Sequence, residues 1–171
     1  MKYREHVFMR VGYFYAMPDD YERYQIAIAA CGWQSTYLIN QFLSSFVGRN
    51  IDYYRTALKN AAAAMQVDPK ELYELCRAAE EPELPPYRTT QPNYGSSPLA
   101  SVVSVQTGAE YRHRIGKFKC SGRNAVALRI AAHVERESTP LTLSRIMSWH
   151  FANYWEKAYA AQIQNDYNLV L

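Results

Sequence analysis

The amino-acid sequence predicts a mainly α-helical fold with two short strands, and three observations carry that prediction. Apolar residues recur at helical spacing, as Leu38, Ile39, Phe42, Leu43 and Phe46 do. Two stretches read instead as strands: the aromatic and β-branched run 5–17, E-H-V-F-M-R-V-G-Y-F-Y-A-M, and the alternating run R-I-G-K-F-K-C at 114–120. Finally, one order of elements occurs twice: short strand, breaker, helix of about three turns, break, capped helix. The first copy runs from about Val7 to Val47, the second from about Ile115 to Tyr154.

Taken in order, Pro18-Asp19-Asp20 stops the first strand. Proline fixes its own φ, and the aspartates suit the positive end of a helix. That helix is expected from Tyr21 to Cys31, with Gly32 as its stop. Ser35 or Thr36 can cap the next one, which ends near Gly48 and Asn50. An alanine-rich helix follows from Ile51 to Gln66, then a short one from Lys70 to Ala79 with Leu72, Tyr73, Leu75 and Cys76 inward. The proline-rich run Glu80–Pro98 reads as an extended connection, and Leu99–Val105 as a short strand or arm. In the second strand Ile115, Lys117 and Lys119 share one face, and Gly116, Phe118 and Cys120 the other. A helix begins near Arg123, and the last is expected from Ser144 through Ala161 with Ile146, Met147, Phe151, Tyr154 and Trp155 along it. The divisions are therefore 5–50, a helical insert 51–80, a linker and arm 81–110, a second unit 111–162 and a tail 163–171.

Hydrophobic content of 49% supports a packed core. The net charge of +3 says little, but its distribution is uneven. Between Arg112 and Arg145 eight cationic side chains, Arg114, Lys117, Lys119 and Arg123 among them, face two acidic ones, a balance of +6. Between Asp68 and Glu83 the balance is −4. A basic working face and an acidic middle segment are expected. Cysteines at 31, 76 and 120 form no C-x-x-C pair, which points to a reducing compartment. With no secretory leader and no apolar run near the roughly 20 residues that span a bilayer, a cytoplasmic protein without membrane contact is expected.

No phosphate-loop, nucleophile-elbow, dinucleotide or H-E-x-x-H pattern is present. The four histidines share no ligand spacing. Asp19-Asp20 and Glu80-Glu81 sit at a cap and in a linker, without the apolar setting that tunes a general acid. The expectation is no enzyme activity, no cofactor and no metal.

The segment G-W-Q-S-T-Y-L-I-N-Q-F-L, Gly32 to Leu43, resembles the ribbon–helix–helix (MetJ/Arc-like) family of DNA-binding proteins. In that family a glycine ends the first helix, a small hydroxyl caps the second, and aliphatic pairs fill a dimer core. Gly32, Thr36, Leu38, Ile39, Phe42 and Leu43 fit that order, while P-L-T-L-S-R-I-M-S-W-H-F fits with Ser144 as cap and Pro140 in place of the glycine. The resemblance covers about half the chain. It implies a short two-stranded antiparallel ribbon in a tandem pseudo-dimer, with the long connection wrapping the fold. It further implies that the ribbon enters the DNA major groove and that the start of the second helix holds a phosphate.

In that register Ile115, Lys117 and Lys119 face the groove, and so does Phe14, with Tyr13, Tyr15 and Met17 inward; a one-residue slip would expose the tyrosines instead. Ser35 and Thr36 in the first copy, and Ser144 with Arg145 in the second, are the implied phosphate clamps. The implied function is sequence-selective binding of double-stranded DNA, as a repressor or accessory factor of a plasmid, phage or mobile-element locus. The competing reading is a helical interaction module (antitoxin, inhibitor or assembly adaptor), motivated by 15 tyrosines. A homo-oligomer or a protein partner is compatible with both. For Lys117 and Lys119 the plainer reading is a solvated edge strand guarded by charge.

Overall fold

A lone strand leaves its backbone unpaired, and here two strand segments from distant parts of the chain satisfy each other. The computed structural model describes residues 9–11, 13–32, 34–79, 82–102, 113–116 and 118–170. The first segment comprises β1 (Met9–Val11) and β2 (Phe14–Tyr15), the second β3 (Arg114–Ile115) and β4 (Phe118–Cys120). All pairing is antiparallel. Met9, Arg10 and Val11 lie opposite Cys120, Lys119 and Phe118, while Phe14 and Tyr15 lie opposite Ile115 and Arg114. The Ala16 amide donates to the His113 carbonyl at 2.9 Å and extends the ladder.

The ribbon does not alternate uniformly. Ile115 and Cys120 are both buried, although they stand an odd number of residues apart. A strict period of two would put them on opposite faces. The two described parts of the ladder keep one register, with Met9 opposite Cys120 and Phe14 opposite Ile115; Gly12 and Lys117, between them, lie outside the described residues. Phe14 and Ala16 are buried on the first segment. The expectation of Phe14 and Ile115 in a groove is therefore corrected: both belong to the core.

Helices α1 (Pro18–Cys31), α2 (Ser35–Arg49), α5 (Gly122–Glu135) and α6 (Thr139–Tyr154) follow the two segments. They repeat at one offset of 104 residues, from Pro18 to Gly122, from Cys31 to Glu135 and from Ser35 to Thr139. The turn between each pair of helices is left-handed at the same place, Gly32 with φ 66° and Arg136 with φ 55°. Arginine there costs about 1 kcal/mol. Two backbone bonds hold it, from Arg136 N–H to His133 and from Glu137 N–H to Ala132. The offset also maps the ribbon onto itself, exchanging the pair Arg10–Lys119 with the pair Tyr15–Arg114. It exchanges two cross-helix hydrogen bonds as well. Asn124 Nδ2 donates to Ser44 Oγ at 3.0 Å, and Ser148 Oγ donates to Asp20.

The core lies beneath the ribbon. Leu38, Ile39, Phe42, Leu43 and Phe46, the face read from periodicity, are all buried. They meet Leu143, Ile146, Met147 and Phe151, and the Phe42 and Phe151 rings pack edge to face at 5.1 Å. Burying each such side chain contributes about 1.5–3 kcal/mol.

The insert covers the second half. Helices α3 (Ile51–Met65) and α4 (Pro69–Ala78) pack on α5. Arg129 Nη1 donates to the Cys76 carbonyl at 2.6 Å, placing a cation at the negative end of α4. Residues 82–102 then run as a strap without helix or strand, turning at 98–101. The Arg88 and Thr89 amides donate to the Ala64 carbonyl, and the Tyr87 hydroxyl bonds His133 Nε2.

Three expected boundaries change. Leu99 sits in a turn rather than a strand, and residues 103–105 lie outside the described ones. Helix α6 begins at Thr139 rather than Ser144, because Ser138 caps it by accepting from the Leu141 amide and Pro140 fits the first turn. The expected tail is helical: α6 continues through one π-helical segment, Trp155–Ala160, into α7 (Ala161–Val170).

Candidate nucleic-acid interface

With Phe14, Ala16, Ile115 and Cys120 turned to the core, Tyr13, Arg114 and Gly116 are exposed among the described ribbon residues. Arg114 is exposed and its guanidinium lies over the Tyr13 ring, 4.0 Å from the centroid. Tyr13 itself is 39% exposed. The ring lies across Gly116, where an added Cβ would stand 2.0 Å from Tyr13 Cδ1. Glycine at 116 thus leaves room for a tyrosine–arginine stack on the surface. Tyr15 is half-buried opposite Arg114. The tyrosines, not Phe14, are on the outer side, as the one-residue slip requires.

At the other end of the ribbon Arg10 and Lys119 are backbone partners. Their side chains, like that of Thr36, lie outside the described residues, and so does Lys117 altogether. Sequence reasoning missed Arg10. The 104-residue offset, which makes Arg10 the counterpart of Arg114, is the signal that would have found it. His113, beside Arg114, stacks on Tyr21 with centroids 4.7 Å apart.

The four implied phosphate clamps fare differently. Ser35 is the first residue of α2 and its Oγ bonds the Tyr24 hydroxyl. Thr36 follows it in the same first turn. Ser144 is a correction: it is buried in the middle of α6 and caps nothing. Arg145 is the other correction. Its Nη1 pairs with Glu135 at 3.0 Å and Glu137 at 2.9 Å, and its Nε and Nη2 donate to the Val102 and Leu99 carbonyls. Burial alone would lower its pKa, but hydrogen bonds to Glu137 and Glu135 outweigh that and raise it. The guanidinium ties the strap to α6 and is spent internally. Arg123 is exposed near the start of α5 and lines a cleft beside Val47.

Three further titratable groups, His150, Cys76 and Cys120, face inward. His150 is buried, with Nδ1 bonded to Ser45 Oγ at 2.6 Å and Nε2 to the Tyr159 hydroxyl at 2.6 Å; burial pushes its pKa down to about 4. Burial pushes the Cys76 thiol up to about 11 and the Cys120 thiol up to about 12. At neutral pH both are thiols, poor nucleophiles and poor ligands. Among the described residues no three His, Cys, Asp or Glu side chains gather in a metal-ligating group. Among them, too, no helix is long and apolar enough to cross a membrane. No family model matches the chain, and neither a curated protein nor a solved structure does.

Proposed function

We propose that the protein is a sequence-selective binder of double-stranded DNA, built as two ribbon–helix–helix-like units folded into a pseudo-dimer within one chain. It acts by occupying or bending a site, as a repressor or accessory factor of a mobile-element locus. One observation carries the reading. The antiparallel ribbon repeats under the same 104-residue offset as the helices, and that offset exchanges Tyr15–Arg114 with Arg10–Lys119. A ribbon of this kind fits the major groove, where arginine and lysine donate to guanine O6 and N7. Ser35 and Thr36, at the start of α2, are the phosphate contact of the first half.

Selection from a random duplex pool followed by gel shift tests this. Arg114→Ala and Lys119→Ala should each weaken the selected site by about 1–3 kcal/mol. Arg77→Ala, on α4 away from the ribbon, should leave it unchanged. A chain that selects no duplex and is not retained on heparin or DNA-cellulose at moderate salt would be the helical interaction module instead.

A further inference from the structure

Where the insert meets α5 there is a cleft of about 290 Å³. Its walls are apolar: Val47 from the end of α2, Leu58 from α3, Tyr73 from α4, and Val126 and Ile130 from α5. Two cations line it from facing helices, Arg55 of α3 and Arg123 of α5. Both residues are exposed, and neither has a carboxylate partner among the described residues. A second cleft of about 300 Å³ adjoins the first, sharing Val47 and Arg123, and is lined by Ser44, Gly48, Ser121 and Asn124. An apolar hollow thus opens through Arg123 onto a polar one.

We propose that this double cleft binds an amphipathic carboxylate, with its apolar body between α3 and α5 and its head at Arg55 and Arg123. Charge complementarity selects that ligand. A carboxylate head can gain charge-assisted hydrogen bonds from the two arginines, which a neutral ligand of the same shape cannot. At about 30 Å³ per non-hydrogen atom, the apolar part accepts roughly ten atoms. The joined volume lies within the range of ordinary small-molecule pockets. Arg123 then serves this ligand rather than a DNA phosphate. The site is independent of the DNA reading, and its test uses no DNA.

Isothermal titration of the full chain with decanoate, and separately with decan-1-ol, tests the proposal. Decanoate should saturate at one per chain. The Arg55→Ala, Arg123→Ala double variant should weaken it about tenfold or more, the size of one lost charge-assisted contact. Decanol should bind more weakly and ignore both arginines. Ala127→Trp should fill the cleft and abolish binding. Should that variant lose its near-ultraviolet dichroism, Leu58→Trp fills the cleft from the other wall. Absence of saturable decanoate binding would overturn the proposal. So would affinity indifferent to the two arginines, or binding that survives a filled cleft.

Discussion

Changing Arg145 to methionine should be among the most damaging single substitutions in the chain, because a buried ion-pair network centres on it. The Arg145 side chain is 11% exposed, and those of Glu135 and Glu137 are 10% and 14% exposed. One guanidinium compensates two carboxylates and two strap carbonyls. Methionine keeps much of the volume but leaves both carboxylates without a counter-charge. Breaking a buried ion pair by removing one partner costs about 3–5 kcal/mol. That is a large part of the roughly 5–15 kcal/mol by which domains are stable. Urea denaturation followed by circular dichroism should show this loss, with faster proteolysis within 97–102. Adding Glu135→Gln and Glu137→Gln should restore part of it by removing the stranded charges. The exposed pair Arg77–Glu74, at 3.2 Å, is the control, and Glu74→Gln should cost about 0–1 kcal/mol. An Arg145→Met loss no larger than that control would refute the buried-network reasoning.

Other consequences follow from the same geometry. His150 titrates near 4 in the fold against about 6.5 in an unfolded chain. The folded state therefore holds fewer protons across that window, and stability present above about pH 6.5 is lost as pH falls toward 4, by roughly 3 kcal/mol. In His150→Gln the slope between pH 7 and 4.5 should flatten, read against wild type because buried Asp20, whose pKa is raised by desolvation, works with the opposite sign. Ser138→Ala removes the acceptor for the Leu141 amide and should cost about 1 kcal/mol in chemical denaturation; no change would mean that α6 is capped elsewhere.

What the sequence made legible was decided by how local each signal is. The α2 face could be read because five apolar residues at helical spacing leave one way to bury them. Antiparallel pairing of the two strand segments was implied by the resemblance to ribbon–helix–helix proteins, and the ladder between them is antiparallel. The second copy was misplaced by one turn because 138–144 offers Ser138, Thr139, Thr142 and Ser144 as caps. What decides among them is the left-handed turn at Arg136, which residue type does not announce. Ile115 was put on the wrong face because strict period-two alternation, counted back from an inward Cys120, turns it outward, whereas both residues are buried. Arg145 looked like a phosphate clamp because it follows a hydroxyl near a helix start. Its partners Leu99, Val102, Glu135 and Glu137 gather only once the strap has folded back.

Methylation interference on a selected duplex tests the ribbon most directly. At about 3.3 Å per residue, the eight positions from Met9 to Ala16 reach about 26 Å, or at most about 8 base pairs. Interference from guanine N7 methylation, confined to one such block and lost in the Arg114→Ala, Lys119→Ala variant, is the result predicted. Interference from adenine N3 in the minor groove, or a pattern that the double variant leaves intact, would contradict it.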